Sequence, residues 1–334
     1  MVSRAQLLGG SASMNFLRLA PGATVSAPGG WVLATDQSDL AIAYQNPALL
    51  ESARNPRLHS SFLFLPGGSS VYFLSGVTSK PQAALVTALS LQYIDHGSVP
   101  ATDPGGNILG SFRPRDWCIQ LAASLPYQSR WRGGAALQWA HSAYGTYRST
   151  AVLSNVGIRY RDTANGFTFG AIFRHAGFMV RRFDGGSTQQ LPVELAFGIW
   201  KTWKDSPFAA GIVWQRMQRW ALDTDDLFDP SVSPIGIDNR RSTFAGQFFN
   251  HLILSTRVAL HPQVQFIGGY NFLRRRELSW GGGSNGLAGF SYGLKATLHR
   301  FQISLARSHY MANQSLHQLS LEFSLKPSGQ GWKR

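Results

Sequence analysis

The sequence lacks any apolar run near the ~20 residues that a membrane-spanning helix needs. It is also poor in charge: only 14% of its 334 residues are charged, and 31 basic against 17 acidic residues give a formal charge of +14. Its single cysteine, Cys118, excludes an intrachain disulfide, and we expect a packed, inert thiol. Aromatic residues reach 12%, and glycines number 35. This composition indicates a membrane barrel or a large all-β soluble protein.

The C-terminal residues 287–325 carry the clearest pattern, three runs in which apolar residues alternate with small or polar ones. In the last run Leu319, Leu321, Phe323 and Leu325 occupy every second position. A period of two predicts a strand with one apolar face. Each run has about 9–12 residues, the length that a tilted strand needs to cross a bilayer, whereas strands of globular proteins usually have ~5–6.

The same alternation continues backwards to residue 58 and predicts about fourteen strands, an even number, as in single-chain bacterial barrels. The predicted strands are 58–65, 70–79, 83–96, 115–127, 132–146, 150–161, 165–177, 191–203, 207–219, 247–260, 262–275, 287–298, 300–310 and 315–325. We therefore predict an all-β fold, a transmembrane antiparallel β-barrel over residues 58–325.

The predicted connections alternate between short turns and generally longer loops, the longest being 95–114, 178–190, 220–246 and 276–286. Outer-membrane barrels place short turns in the periplasm and longer loops outside the cell. We therefore expect an outer-membrane protein with extracellular loops and periplasmic termini, including a periplasmic tail over 326–334.

The N-terminal residues 1–57 do not alternate, and we expect a hatch-like plug segment inside or beneath the barrel. A short helix is predicted over 38–45, capped by Asp36 or Ser38. The motif Asn46-Pro47-Ala48 then ends it, since proline cannot continue a helix interior.

Alternation also assigns side chains to the two faces of the barrel wall. It predicts Leu121, Phe197, Phe266 and Leu321 toward lipid, and Gln120, Glu194, Gln265 and Glu322 toward the lumen. Arg174 and Glu194 fall on polar faces of neighbouring strands, so we expect them to pair inside the barrel.

Chemistry of an enzyme is not indicated. The Gly281–Gly286 run lacks the lysine and hydroxyl residue of a P-loop, the histidines lack metal-ligand spacing, and no Gly-x-Ser-x-Gly elbow occurs. We therefore predict no catalytic residue, cofactor or metal. A nucleic-acid recognition module is also missing.

Arginines cluster in or beside the longer loops, where they either form a solvated surface or bind lipopolysaccharide phosphates bidentately. The residues predicted for such contacts are Arg181, Arg182, Arg240, Arg241, Arg274, Arg275 and Arg276.

Several short motifs, in order and over nearly the whole chain, resemble the PorQ family of type IX secretion. They are Met14–Leu19, Asn46–Leu50, Leu91–Gly97, Met217–Leu222, Gly269–Leu278 and Gly286–Ser291. The sequence departs from the family around Trp31 and in its richness in arginine. The Asn-Pro-Ala motif is also similar to the hatch of FadL-like fatty-acid transporters, which have fourteen-stranded barrels.

The PorQ resemblance implies a non-enzymatic component of the cell-surface attachment complex, which holds a PorZ-like surface protein alongside PorU and PorV. The 220–246 loop suits docking because it mixes large apolar side chains with charge. The residues predicted to bind the partner are Trp220, Leu222, Asp225, Leu227, Phe228 and Ile235.

Two alternatives stay open at this point: a FadL-like transporter of hydrophobic solutes with a movable hatch, and a soluble β-rich carbohydrate-binding protein. A continuous apolar pocket between Asn46-Pro47-Ala48 and the barrel wall would favour the transporter.

Overall fold

In the computed structural model, fourteen antiparallel strands close into a single barrel, with β1 paired to the last strand, β16. The structure describes residues 13–51, 55–65, 67–78, 84–183, 190–220, 244–277, 286–311 and 314–325. The strands are β1 (Arg57–Phe64), β2 (Ser70–Thr78), β3 (Val86–Asp95), β4 (Val99–Thr102), β5 (Ile108–Phe112), β6 (Arg115–Tyr127), β7 (Trp131–Tyr144), β8 (Tyr147–Asp162), β9 (Phe167–Arg181), β10 (Glu194–Thr202), β11 (Phe208–Trp214), β12 (Leu252–His261), β13 (Val264–Asn271), β14 (Phe290–Leu298), β15 (Phe301–Met311) and β16 (Gln314–Ser324).

Each of the fourteen predicted strands corresponds to one barrel strand, so the predicted fold is confirmed. Strands β4 and β5 are additional and form a separate hairpin inside the predicted loop 95–114. Its turn is built by Asp103, whose carboxylate accepts from the backbone N–H of Asn107 at 2.8 Å. Aspartate and glycine at such positions are typical turn residues.

Two predicted strands are too long because helices occupy one end of each. Helix α3 (Phe244–Asn250) precedes β12, and helix α4 (Phe272–Glu277) follows β13. Asn271 begins α4, since its side-chain oxygen accepts from the backbone N–H of Arg274 at 3.1 Å, as a helix cap does. Within the described ranges, no helix combines the length and the apolar character needed to cross a membrane.

The two faces of the wall agree with the predicted register. Leu121 is 56% exposed on the outer face, whereas Gln120 is fully buried inside. Leu321 and Glu322 follow the same division, and Gln265 accepts a hydrogen bond inside from Gln37. Cys118 is buried on the inner face, as expected.

The longest connections all lie at one end of the barrel, which also carries the short connections 65–69, 145–146 and 312–313, while the other end has short connections. We call these ends the loop side and the turn side. The turn side carries the connections 128–130, 163–166, 203–207, 262–263 and 299–300, while the loop side carries 96–114, 182–193, 215–251 and 272–289. The strand pairing places both ends of the wall, Arg57 and Ser324, on the turn side.

Residues 13–51 fill the lumen, and we call them the plug. They form α1 (Ala23–Ser26), α2 (Leu40–Gln45) and two 3-10 helices, Asn15–Arg18 and Pro47–Leu49. The predicted cap of α2 was wrong: Asp39, not Asp36 or Ser38, accepts from the N–H groups of Ala41 at 2.9 Å and Ile42 at 3.2 Å. Asp36 instead binds the wall, as described below.

Candidate functional site: the plug and the loop-side cavity

The hatch motif lies in direct contact with the wall. Asn46 is fully buried, and its side-chain oxygen accepts from the N–H of Ala48 at 3.1 Å. A Cβ atom added to Gly134 would lie 2.3 Å from the Ala48 nitrogen, and one added to Gly157 would lie 2.1 Å from the Asn46 side-chain oxygen. Only glycine permits so close an approach. No apolar pocket therefore separates the hatch motif from the wall at these two contacts.

On the turn side, ion pairs tie the plug to two strands of the wall, β8 and β12. The Asp36 carboxylate receives two hydrogen bonds from Arg257, at 2.6 and 2.8 Å. Glu51 contacts both Arg159 and Arg161, the latter at 2.9 Å. Burial alone would raise the pKa of Asp36, but hydrogen bonds and charge from Arg257 outweigh it and hold that pKa below its usual value.

Near the loop side, Glu194 is the centre of a buried cluster of charges. Its carboxylate lies 2.6 Å from Arg174, 2.9 Å from Arg18 of the plug and 3.8 Å from Arg216. The predicted Arg174–Glu194 pair is confirmed, and these residues are directly opposite in the β9–β10 register. The guanidinium carbon of Arg174 lies over the Trp31 ring, 3.8 Å from the ring centroid, so Trp31 stabilises this cluster from the plug.

Three donor groups that could hold a metal ion meet between plug and wall: Asp39, His59 and Glu322, with their atoms within 4.8 Å of one another. This group was not predictable from the sequence, because its members are far apart along the chain. Asp39 already caps α2, and Glu322 pairs with Arg57 at 3.0 Å. In this arrangement the three residues join the plug to β1 and β16.

A cavity of about 700 Å³ lies on the loop side, between the first turn of the plug and the wall. Its apolar lining includes Met14, Phe16, Leu19, Leu65, Ile94 and Tyr310. Methionine and aromatic side chains provide a large, adaptable apolar surface. Volumes of this size are typical of small-molecule sites. The sequence alone could not locate this cavity, because plug and wall residues contribute to it jointly.

One corner of the cavity is polar. His96, Asp116 and Tyr144 line it together, from β6, β7 and the residue that follows β3. The Asp116 Oδ2 atom lies 2.7 Å from His96 Nε2 and accepts from the Tyr144 hydroxyl at 2.8 Å. The cavity therefore combines a wide apolar lining with one anchored carboxyl group.

The arginines predicted to contact lipopolysaccharide are placed differently from one another. Arg274 is only 6% exposed, and its guanidinium donates to the backbone oxygen of Gly29 in the plug at 3.2 Å. That prediction was wrong for Arg274, because α4 turns its side chain inward. Arg275 donates to the backbone oxygens of Gly286 and Ala288, and Arg276 is half-buried. Arg181 and Arg182 are exposed at the end of β9.

Most of the predicted docking loop lies outside the described residues. Leu222, Asp225, Leu227, Phe228 and Ile235 belong to that part, as do Arg240 and Arg241. Trp220 is described: its ring stacks on His251 at 5.2 Å and contacts Phe244 at 5.3 Å. The partner-binding role of these residues stays a prediction.

Two of the solved structures that share this fold are of the hydrocarbon channel TodX. The toluene transporter TodX of Pseudomonas putida has a TM-score of 0.55 and 12% identity, over 91% of this chain and 97% of TodX. A deltaS2 mutant of the TodX monoaromatic hydrocarbon channel has a TM-score of 0.53 and 13% identity, over 92% of this chain and 100% of that one. No protein-family model matches the chain, and no curated protein does. At such low identity the likeness establishes only the fold. The fourteen-stranded barrel of this chain agrees with it.

Proposed function

We propose that this protein is a non-enzymatic outer-membrane barrel that takes up a small apolar solute from the loop side. The observation that carries the proposal is the cavity of about 700 Å³ with its apolar lining. The similarity to TodX, a toluene transporter, supports it. An exposed apolar outer wall over long strands supports the membrane location, since such a surface is stable only when lipid or protein covers it.

Binding and passage are separate steps in this proposal. The cavity is bounded on one side by the plug, and the plug is fixed to the wall by the ion pairs of Asp36 with Arg257, Glu51 with Arg161, and Arg18 with Glu194. A solute can therefore occupy the cavity while the plug stays in place. Its passage to the turn side requires the plug to rearrange.

A substitution that fills the cavity tests the binding step. Leu65→Trp adds bulk to the lining, whereas Leu58→Trp adds the same bulk to the outer face of the neighbouring strand β1, where Leu58 is exposed. In nanodiscs, calorimetric titration with propylbenzene should show binding to the wild type and Leu58→Trp and at least tenfold weaker binding to Leu65→Trp. Equal binding by both variants would place the solute elsewhere.

The orientation of the barrel is also a proposal, with the loop side outside the cell. In a Cys118→Ser background, Ser111→Cys in the β4–β5 hairpin should react with an impermeant maleimide on whole cells. Ser129→Cys, exposed in a turn-side connection, should react only after the outer membrane is opened. The reverse pattern would invert the topology.

A second candidate function is the docking platform that the PorQ resemblance implies, with a PorZ-like surface protein as partner and PorU and PorV in the same complex. A specific feature favours it: Ile108 and Leu109 in the β4–β5 hairpin are 73% and 72% exposed. Two adjacent aliphatic side chains on a loop-side hairpin suit a docking contact. Exposed arginines such as Arg181 and Arg182 could meet lipopolysaccharide phosphates beside it.

Two variants of the protein distinguish the platform function from the transporter function. Deletion of residues 225–239 and the pair Ile108→Asp with Leu109→Asp each remove part of the proposed dock and leave the cavity lining intact. If the protein is a platform, these variants should release the surface partner into the medium while propylbenzene still binds. If the partner stays on the cell surface in both variants, the docking proposal fails.

A further inference from the structure

Asp116 presents an unusual carboxyl group to the loop-side cavity. Its side chain is only 1% exposed. His96 and Tyr144 both contact the same oxygen, Oδ2. The other oxygen, Oδ1, is buried and has no hydrogen-bond partner among the residues that the structure describes. A buried acceptor without a donor is costly, so the site gains when the Asp116 side chain turns and a donor in the cavity reaches Oδ1.

Among the described residues that line the cavity, the arginine is already engaged. Arg18 lies 2.9 Å from Glu194 and donates to the Asn15 side-chain oxygen at 3.1 Å. A solute carboxylate would thus meet the Asp116 carboxyl group and an arginine that is paired elsewhere. The polar corner favours a hydrogen-bond donor and disfavours an anion.

We propose that Asp116 makes the cavity selective for amphipathic solutes that carry a hydroxyl donor on an apolar body, such as alkylphenols. This inference rests on the proposed function, because it names the class of solute that the same cavity takes. The apolar body packs against residues such as Phe16 and Leu65, and the hydroxyl donates to Asp116 Oδ1. A hydrocarbon fills the same volume but leaves that oxygen unpaired, as does an ether, which can only accept.

Three solutes of nearly equal shape test the proposal: 4-propylphenol, 4-propylanisole and propylbenzene. Their affinities are measured by calorimetric titration of the full-length protein in lipid nanodiscs, with empty nanodiscs as the blank. The wild type should bind 4-propylphenol at least tenfold more tightly than the other two, in keeping with the strength of a hydrogen bond to a carboxylate. The order should not follow simple partitioning into the empty discs.

Two variants of Asp116 identify the group responsible. Asp116→Leu removes the acceptor, and Asp116→Asn keeps the shape but replaces one oxygen by a donor. Both should lower the preference for 4-propylphenol over 4-propylanisole to below about threefold. Asp103→Asn, in the exposed hairpin turn, is the matched control and should keep the wild-type preference. Because Asp116→Leu could disturb His96 and Tyr144, the isosteric asparagine variant decides if the leucine variant fails to fold.

The outcomes separate this inference from the proposed function. If none of the three solutes binds, the solute-binding function and the inference are both overturned. If all three bind with equal affinity, or if the asparagine variant keeps the full preference, only the role of Asp116 is overturned. Tighter binding of 4-propylbenzoate than of 4-propylphenol would also contradict it.

Discussion

At the scale of single residues, two neighbouring glycines of β7 report how closely the plug approaches the wall. A Cβ atom on Gly134 would lie 2.3 Å from the Ala48 nitrogen, whereas one on Gly133 would have no neighbour within 4 Å. We therefore expect Gly134→Ala to displace the hatch motif and to lower the thermal midpoint of the purified barrel by several degrees. The adjacent Gly133→Ala substitution should leave the midpoint within a degree or two.

The two alanine variants have the same composition, lie on the same strand and change the intrinsic backbone propensity equally. A difference between their thermal midpoints therefore reports the plug contact alone. Planar-bilayer recordings provide a second measurement: Gly134→Ala should raise the conductance because the displaced plug no longer fills the lumen. Identical midpoints and conductances for both variants would mean that the hatch motif does not touch the wall at Gly134.

Glu194 is the second residue at which we expect a substitution to lower stability. It is buried and faces Arg18, Arg174 and Arg216, so Glu194→Gln would remove the negative charge that these guanidinium groups share. Breaking a buried pair in this way typically costs ~3–5 kcal/mol. Urea unfolding in lipid vesicles, followed by tryptophan fluorescence, should show a loss of that size. Asp205→Asn in an exposed turn should cost less than ~0.5 kcal/mol, and a similar loss in both variants would contradict the role of Glu194.

The charge cluster also shows what a sequence can and cannot predict at this scale. Arg174 and Glu194 were predictable as partners because strand periodicity places both on the lumen face of neighbouring strands. Arg18 and Trp31 were not, because they belong to the plug, whose path through the lumen is set by packing and not by a period. The same reason accounts for Asp36, one of the two residues predicted to cap a helix, which instead binds Arg257 of the wall.

At the scale of elements, alternation was sufficient to predict the wall strands, because each strand has one face toward an apolar exterior and the other toward a filled polar interior. It failed where the chain leaves that boundary. Helices α3 and α4 lie at the loop-side ends of predicted strands, and the β4–β5 hairpin is exposed on both faces. At such positions no periodic contrast distinguishes a strand from a helix or a loop. Because a strand was predicted through residue 275, Arg274 was expected to contact lipopolysaccharide, whereas helix α4 turns its side chain inward.

The outer face of β6 gives a prediction for this scale. Leu121 lies near the middle of the strand and is exposed to the exterior, so Leu121→Arg places a charge near the bilayer midplane if the barrel spans a membrane. Such substitutions cost roughly 2–4 kcal/mol in lipid. Leu109→Arg, in the hairpin outside the barrel wall, should cost almost nothing. Reversible unfolding in vesicles measures both. Equal, small effects would mean that lipid does not cover this face.

At the scale of the whole molecule, plug and wall are joined at two levels. The Glu194 cluster lies near the cavity, and the ion pairs of Asp36 and Glu51 lie at the turn side. The cavity residues contact the loop-side part of the plug, whereas the hatch motif packs against Gly134 and Gly157 nearer the turn side. Under the proposed function, this separation predicts that the turn-side contacts can be changed to release the plug without altering the loop-side cavity.

The double variant Asp36→Asn with Glu51→Gln tests that implication. It removes the acceptor charges that hold the plug to Arg257, Arg159 and Arg161. We expect the ionic conductance in planar bilayers to rise severalfold while propylbenzene affinity stays within twofold of the wild type, because the cavity lies at the other end of the plug. Asp205→Asn, an exposed charge change on the same side, should alter neither quantity.

Acidification should act on the same contacts in a defined pH range. The charge of Arg257 and its hydrogen bonds hold the pKa of Asp36 below its ordinary value near 3.8, although burial opposes them. A carboxyl group with a depressed pKa stabilises the folded state above its unfolded pKa, and this contribution is lost as pH falls through the depressed value. Conductance of the wild type should therefore stay low at pH 5 and rise only below about pH 4. The double variant should show no such rise from Asp36. If its conductance matches the wild type at pH 7 and both rise together on acidification, the turn-side ion pairs do not hold the plug.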